Sequence, residues 1–254
     1  MLPRLARRDP IENSLLAALP RKEYRRLHAG LEPMTMNFGE VLYEPGDTIR
    51  HVYFPSDSLV SLLTLADGHL ALEVGLIGRE GMVGIPLILG HQLSSVRALV
   101  QGTGTAMRMA AALFRKEFRL SLPLQRELYR YTHTLMAQIS QTAACNRFHV
   151  VETRLARWLL MTHDRVKSDQ FRMTHEFLGT MLGVRRVGVT KAAHALQKRN
   201  LIRYTRGDIT VLDRTGLEAA ACECYEVVKD MHDGGQAHVP YRIEHLHPAA
   251  STHA

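Results

Sequence analysis

The sequence is poor in cysteine and tryptophan, with three and one in 254 residues, and no cysteine precedes Cys145. An odd cysteine count without framework spacing excludes a disulfide-stapled secreted scaffold and fits a reducing compartment. No apolar run approaches the roughly 18 residues of a membrane-spanning helix. The N-terminus MLPRLARRDP is basic but lacks the apolar stretch of a signal peptide, so a cytoplasmic location is expected, with no membrane partner. There is no G-x-S-x-G elbow, no P-loop and no dinucleotide fingerprint. His163-Asp164 is half a triad without its nucleophile, so an enzyme is not expected. The 14 histidines invite a metal reading, and Cys222-x-Cys224 with His232 nearby offers soft ligands. A structural site needs four ligands at recognisable spacing. The pair therefore reads as one buried and one exposed thiol, and no metal is expected. His238, His245, His247 and His253 fall in a tail, 232–254, expected to be loose and solvated.

What is present is more telling. An apolar content of 46% supports one large or two small domains. Net charge is +7, from 32 Lys/Arg and 25 Asp/Glu. The stretch from Arg172 to Arg206 alone carries eight Lys/Arg and one acid, Glu176, also +7, so the rest of the chain sums to zero. That basicity coincides with a pattern. Glu176 to Leu182 is short and amphipathic, with Phe177, Leu178, Met181 and Leu182 on its apolar side. Gly183 follows where a helix C-terminus favours positive φ. A second helix from about Arg185 to Arg199 carries Val189, Ala192, Ala193 and Leu196 at 3–4 spacing, and a hairpin ends near Leu212. Gly179 inside the first helix costs about 1 kcal/mol relative to Ala, a cost consistent with close approach of the second helix. A winged helix-turn-helix with a local positive patch is the footprint of a duplex-DNA binder.

Taken in order, residues 1–12 read as a flexible lead. Asn13 is placed to cap a helix through Leu19, and Pro20 to open another through about Leu31, with Tyr24 and Leu27 inward. Short β-type runs follow at Val41–Tyr43, His51–Phe54, Leu59–Leu65, Leu70–Ile77 and Val96–Met109, with a turn at Ala66-Asp67-Gly68. Their spacing predicts an all-β barrel or roll, with Gly102 and Gly104 marking a bulge or corner. The glycine-rich segment Gly78–Pro86 reads as a turn-rich corner, the alternative being a loop whose backbone N–H groups face an anion. One or two helices span Leu122 to Asp164. Leu124, Leu128, Tyr131 and Leu135 step by four, three and four, with Ile139 taking over the contact at the polar end of the seam. This seam is read as a dimer helix, the alternative being a helix packed along its own β-domain. Trp158, in RLARWLLM, is the expected core anchor. Lys167–Gln170 reads as a loop into the DNA-binding module, and Leu217–Met231 as a last helix.

The order β-roll, long helix, winged helix-turn-helix resembles the Crp/Fnr family of bacterial transcription regulators over roughly residues 13–215. The resemblance rests on GEVLYEPGD (39–47), VYFP (52–55), RLARWLL (154–160) and LGVRRVGVTKAAHALQKRNLI (182–202). It implies an α+β chain with an antiparallel β-roll of the double-stranded β-helix type at 13–120 and a dimerisation helix at 121–149. A winged helix-turn-helix would occupy 150–215, and a C-terminal helix and tail 216–254. It also implies a homodimer on palindromic DNA, with RNA polymerase as a further partner. Carried over, Arg185, Arg186, Val187, Thr190 and Lys191 would face the major groove. Arg203, Arg206 and Thr174 would meet phosphates. Val187 stands where many members carry a base-reading Glu, so the preferred half-site should differ. In the roll, Gly84-Ile85 replaces the family's ribose-binding Gly-Glu, and Val96-Arg97 lies where Arg-Ser is expected. Gly84, Ile85 and Arg97 would mark a degenerate effector pocket. Cyclic AMP is not expected as a cofactor, and without N-terminal cysteines neither is an iron–sulphur centre. The effector is open: another ligand, a partner, or none. The alternative function is a module responding to a cyclic nucleotide or other small ligand, in which DNA binding is secondary.

Overall fold

The computed structural model describes residues 12–66, 70–166 and 168–232. The expected lead, Asp67-Gly68 of the expected turn, Lys167 and the tail beyond His232 lie outside the described residues.

Asn13 begins the ordered fold. Its side-chain oxygen caps helix α1 (Ser14–Ala17) by accepting the Leu16 amide at 3.1 Å, and its Nδ2 donates to the carbonyls of Pro55 and Gly81 at 2.9 Å. The cap is thus also a buried tie to the sheets. Helix α2 (Arg21–His28) starts after Pro20 and buries Leu27, with Tyr24 packed against the same core.

The strands are β1 (Glu32–Met36), β2 (Val41–Tyr43), β3 (His51–Pro55), β4 (Leu59–Ala66), β5 (Leu70–Ile77), β6 (Arg97–Gly102) and β7 (Gly104–Ala110). They form two antiparallel sheets, ordered β1-β7-β3 and β2-β6-β4-β5. The expected single run from Val96 to Met109 divides at Thr103, because β6 pairs with β4 in one sheet and β7 with β1 and β3 in the other. The two glycines flank this corner. Gly104 lies so close to Asp57 and Ser58 that a Cβ there would sit 2.7 Å from Ser58 N. The architecture is a roll of two open sheets, not a closed barrel. Its interior is filled by Met36, Val52, Phe54, Val60, Ile77, Met82 and Val100, all fully buried.

Helix α3 (Ala111–Leu120), not expected from the sequence, leads into α4 (Leu122–Phe148), which Ser121 caps at the Leu124 amide. The α4 seam requires a correction. Leu124, Leu128, Tyr131 and Leu135 are buried in the chain's own roll core, with Ile139 packed beside them. The Tyr131 ring lies directly over Gly81, leaving no room for a Cβ there. This fixes the corner 78–86 as a seat for α4. A heptad-spaced apolar stripe signals burial but does not say against which surface, and here the roll covers it. The stripe is therefore closed to a second copy.

Helix α5 (Val151–His163) follows after an extended His149-Val150 link. Three-stranded β8-β10-β9 comprises β8 (Gln170–Arg172), β9 (Ile202–Thr205) and β10 (Asp208–Val211). Helices α6 (His175–Leu182) and α7 (Arg186–Lys198) lie between β8 and β9. The expected last helix is two, α8 (Arg214–Ala220) and α9 (Cys224–His232), because Ala221 turns extended at φ −74°, ψ 160°. A second core joins α5 to α8 and part of α9, centred on Leu155, Trp158, Leu159, Leu178, Val189, Leu196, Leu217 and Tyr225. Among the described residues no helix is long and apolar enough to cross a membrane.

Candidate nucleic-acid interface

Each part of the helix-turn-helix has a local cause. Thr174 caps α6, its Oγ1 accepting the Phe177 amide at 3.1 Å. Gly183 ends the helix in the left-handed region at φ 62°. At Gly179 a Cβ would stand 2.9 Å from the Val184 carbonyl oxygen, so the glycine within the helix admits the backbone of the turn itself. Val189, Ala192, Ala193 and Leu196 face the core, as their spacing predicts.

The opposite face of α7 is open. Arg185, the cap residue, and Arg186, Val187, Thr190 and Lys191 are all exposed, Val187 at 60%. Two arginines at a helix N-terminus place positive charge where backbone N–H groups already point outward, which makes an anion-facing surface. The Thr190 hydroxyl has local partners: it donates to the Arg186 carbonyl at 3.0 Å and lies 3.0 Å from His175 Nδ1.

The wing is a two-residue hairpin. Arg206 and Gly207 both have positive φ, 51° and 91°, and join Thr205 to its partner Asp208. This is the geometry of a type I′ turn, which matches strand twist. An arginine in the left-handed region is uncommon, and it sets its side chain at the wing tip. The Met173 amide donates to the Gly207 carbonyl at 2.6 Å, fastening the tip to the start of α6. Arg203, Arg206 and Thr174 are exposed, so all eight predicted DNA-facing residues lie at the surface of one small unit.

Three further residues lie on the same unit. Arg172 on β8 and His194 on the open face of α7 are exposed; the count of basic residues contained the first, and helical spacing from Val187 gives the second. His175 was not legible in sequence. Its ring stacks on Tyr204 at 4.2 Å and 16°, linking α6, α7 and the wing. Burial, with Arg186 adding to it, lowers the pKa of this imidazole.

Residues 153–220 match the model of the Crp-like helix-turn-helix domain. The chain has the fold and the DNA-binding domain of a Crp/Fnr-type regulator. Its fold is similar to that of FixK2 from Bradyrhizobium japonicum (TM-score 0.65, 14% identity, 76% of this chain and 98% of that one). It is likewise similar to the CRP-family regulator TTHB099 from Thermus thermophilus (TM-score 0.62, 17% identity, 74% and 96%). TTHA1359, a CRP/FNR-family regulator of the same organism, aligns at TM-score 0.60 and 20% identity (75% and 98%). No curated relative matches the chain by sequence.

The three effector-pocket positions of this Crp/Fnr-type roll have separate roles. Gly84 has φ 113° and lies against Val52, where a Cβ would be 2.9 Å from Cγ1. Ile85 is buried in the roll core. Arg97 is part-exposed and paired with Glu44 at 2.8 Å. A cavity of about 560 Å³ on the roll is lined by residues including Tyr43, Arg50, His51 and Tyr53, and by none of the three.

Proposed function

We propose that the chain acts as a homodimer that reads palindromic duplex DNA through α7. The observation that carries this is the open N-terminal face of α7, where Arg185, Arg186 and Lys191 surround an exposed Val187. Arg186 reads a base edge, where a bidentate guanidinium–guanine pair is worth about 1–3 kcal/mol of discrimination. Arg185, Lys191, Arg203, Arg206 and Thr174 meet phosphates and set register. Val187 cannot accept a hydrogen bond from cytosine, so the half-site differs from those read by relatives with Glu there.

The test is a gel-shift titration on a site enriched from random duplexes. Arg186→Ala should weaken that site by about 10–100-fold while leaving random duplex nearly unchanged. Arg206→Ala should weaken both alike and reduce the salt dependence by about one counterion. Equal losses on both DNAs for Arg186→Ala would remove its base-reading role.

Dimerisation falls to the other face of α4. Leu122, Arg126, Tyr129, His133, Met136, Ser140 and Ala143 are exposed and step by four and three. They sit two residues before the buried seam, about 200° around the helix, and Leu122, Tyr129 and Met136 are large apolar side chains in water. Met136→Glu is expected to shift the sedimentation coefficient from dimer to monomer at micromolar chain. An unchanged dimer would move the interface elsewhere. The same reading makes RNA polymerase the protein partner and the cytoplasm the location. The roll's family pocket is degenerate: Ile85 supplies no carboxylate for a ribose, so cyclic AMP is not the effector.

A further inference from the structure

All three cysteines of the chain come together. Cys222 and Cys224, which the sequence presents as one buried and one exposed thiol, are both buried, and they meet Cys145. His149, at the end of α4, turns its ring onto the same point. The four ligand atoms all lie within 4.8 Å of one another. Cys145 Sγ is 3.5 Å from Cys222 Sγ, and His149 Nδ1 is 3.4 Å from Cys224 Sγ. In a tetrahedral zinc site, Zn–S bonds of about 2.3 Å place neighbouring sulfurs roughly 3.8 Å apart, with S···N edges slightly shorter. His232, the histidine close to this pair in sequence, is not in the cluster: its Nε2 lies 3.1 Å from Arg165 Nη2.

We propose that Cys145, His149, Cys222 and Cys224 form a Cys3His site for one divalent ion of the zinc class. The ion joins the C-terminal end of α4 to the start of α9.

The surroundings suit that occupant. Three thiolates and a divalent ion leave a formal charge of −1, and two arginines of α5, Arg154 and Arg157, are buried beside α4 with their guanidinium groups bound to Asn146 and Thr142 at 2.6 and 2.8 Å. Gln141 Nε2 donates to Cys224 Sγ at 3.0 Å, a hydrogen bond that stabilises a thiolate. The second nitrogen of the His149 ring, Nε2, lies 3.9 Å from Glu223 Oε1, so the imidazole stands between a carboxylate and the sulfur cluster. Soft sulfur donors select a zinc-type ion over magnesium or calcium. The compactness of the set fits a single ion, since an iron–sulphur cluster spreads its ligands over two or more irons. Binding releases to solvent the protons still held by the thiols.

Arg154 couples the site to the DNA-binding unit. Arg154 Nη2 bonds Asn146, the neighbour of Cys145, and also the Leu182 carbonyl at the end of α6. Fixing the end of α4 therefore fixes the carbonyl that α6 presents just before its turn.

The experiment uses the full chain, purified under reductant, incubated with zinc and dialysed. About one zinc per chain should remain by elemental mass spectrometry. Cobalt substitution should give the intense visible bands of a tetrahedral thiolate site. Cys145→Ser and His149→Ala should lose the ion or bind it far more weakly, while His149→Cys should keep it with a cobalt spectrum shifted toward four sulfurs. Circular dichroism on every variant separates loss of the ion from loss of the fold. A folded wild-type chain that keeps no zinc, with three thiols reacting equally fast whether or not zinc is added, overturns the proposal. A Cys145–Cys222 disulfide persisting under reductant overturns it as well. So does equal zinc retention by a Cys222→Ser/Cys224→Ser variant, since other histidines would then hold the ion.

Discussion

Trp158→Ala is expected to destabilise the chain by about 3–5 kcal/mol, the range for removing a buried indole from a packed core. Trp158 is 4% exposed and belongs to the second core, with Leu155, Leu159 and Met181. Its Nε1 also donates to Glu73 Oε1 at 2.9 Å, across the junction between α5 and the roll. Truncation thus opens a cavity and deprives a buried carboxyl of a donor at once. Trp158→Phe separates the two effects: most of the volume stays, and the lost hydrogen bond costs about 1–3 kcal/mol. Urea denaturation followed by far-ultraviolet circular dichroism measures both. A loss below about 1 kcal/mol for Trp158→Ala would show that the junction repacks and that the indole anchors nothing.

Glu73→Gln is expected to remove a pH dependence from stability. Glu73 is buried between the sheet and α5, and burial pushes its carboxyl up from 4.5 to about 7, against the opposing pull of Ser61, Trp158 and two arginines. The hydrogen bonds agree with a protonated acid. Ser61 Oγ contacts both Glu73 Oε2 and Gln101 Oε1, yet a hydroxyl has one hydrogen. If Glu73 donates to Ser61, Ser61 is free to donate to Gln101, and every oxygen is served.

The folded-state value lies above the unfolded one, so the folded chain holds the extra proton between about pH 4.5 and about pH 7. The contribution is fully present below that window and is lost as pH rises through it, a change of about 3 kcal/mol at ~1.4 kcal/mol per unit. Other groups titrate as well, so the decisive quantity is the difference between wild type and Glu73→Gln. Glutamine keeps the acceptor for Trp158 and adds an amide donor for Ser61, so the variant should gain on the wild type as pH is raised from about 5 to about 8. A constant difference across that range would mean that Glu73 stays ionised in the fold.

The DNA-binding unit was legible because its signals are local. Gly183 and the 3–4 spacing of Val189 to Leu196 each act within a few residues, and the structure places them as their chemistry requires. The α4 seam was legible as a buried stripe, but its partner was not. Leu124 to Leu135 and Leu122 to Met136 follow the same heptad spacing, and only the path of the roll decides that the first is covered. Strand β1 carries Pro33 and alternates weakly, so composition hides it, and its identity comes from pairing with β7. The cysteine cluster is further beyond linear reading. Cys145 and Cys222 are 77 positions apart, and they meet because α9 folds back along α4. His175 reads as an ordinary helix residue until Tyr204 arrives from the wing.

Gly183 also touches the roll. A Cβ on it would stand 2.7 Å from Leu72 Cδ1 on β5, so the turn of the helix-turn-helix rests against a strand of the roll. Phe38 and Phe177 meet alongside, with ring centroids 5.5 Å apart. The contact adds to the core that Leu59, Leu63 and Leu76 of the roll share with the DNA-binding unit. Leu72 and Phe38 thus set the depth at which the reading head seats on the roll, and shortening residue 72 would leave a gap beneath the turn.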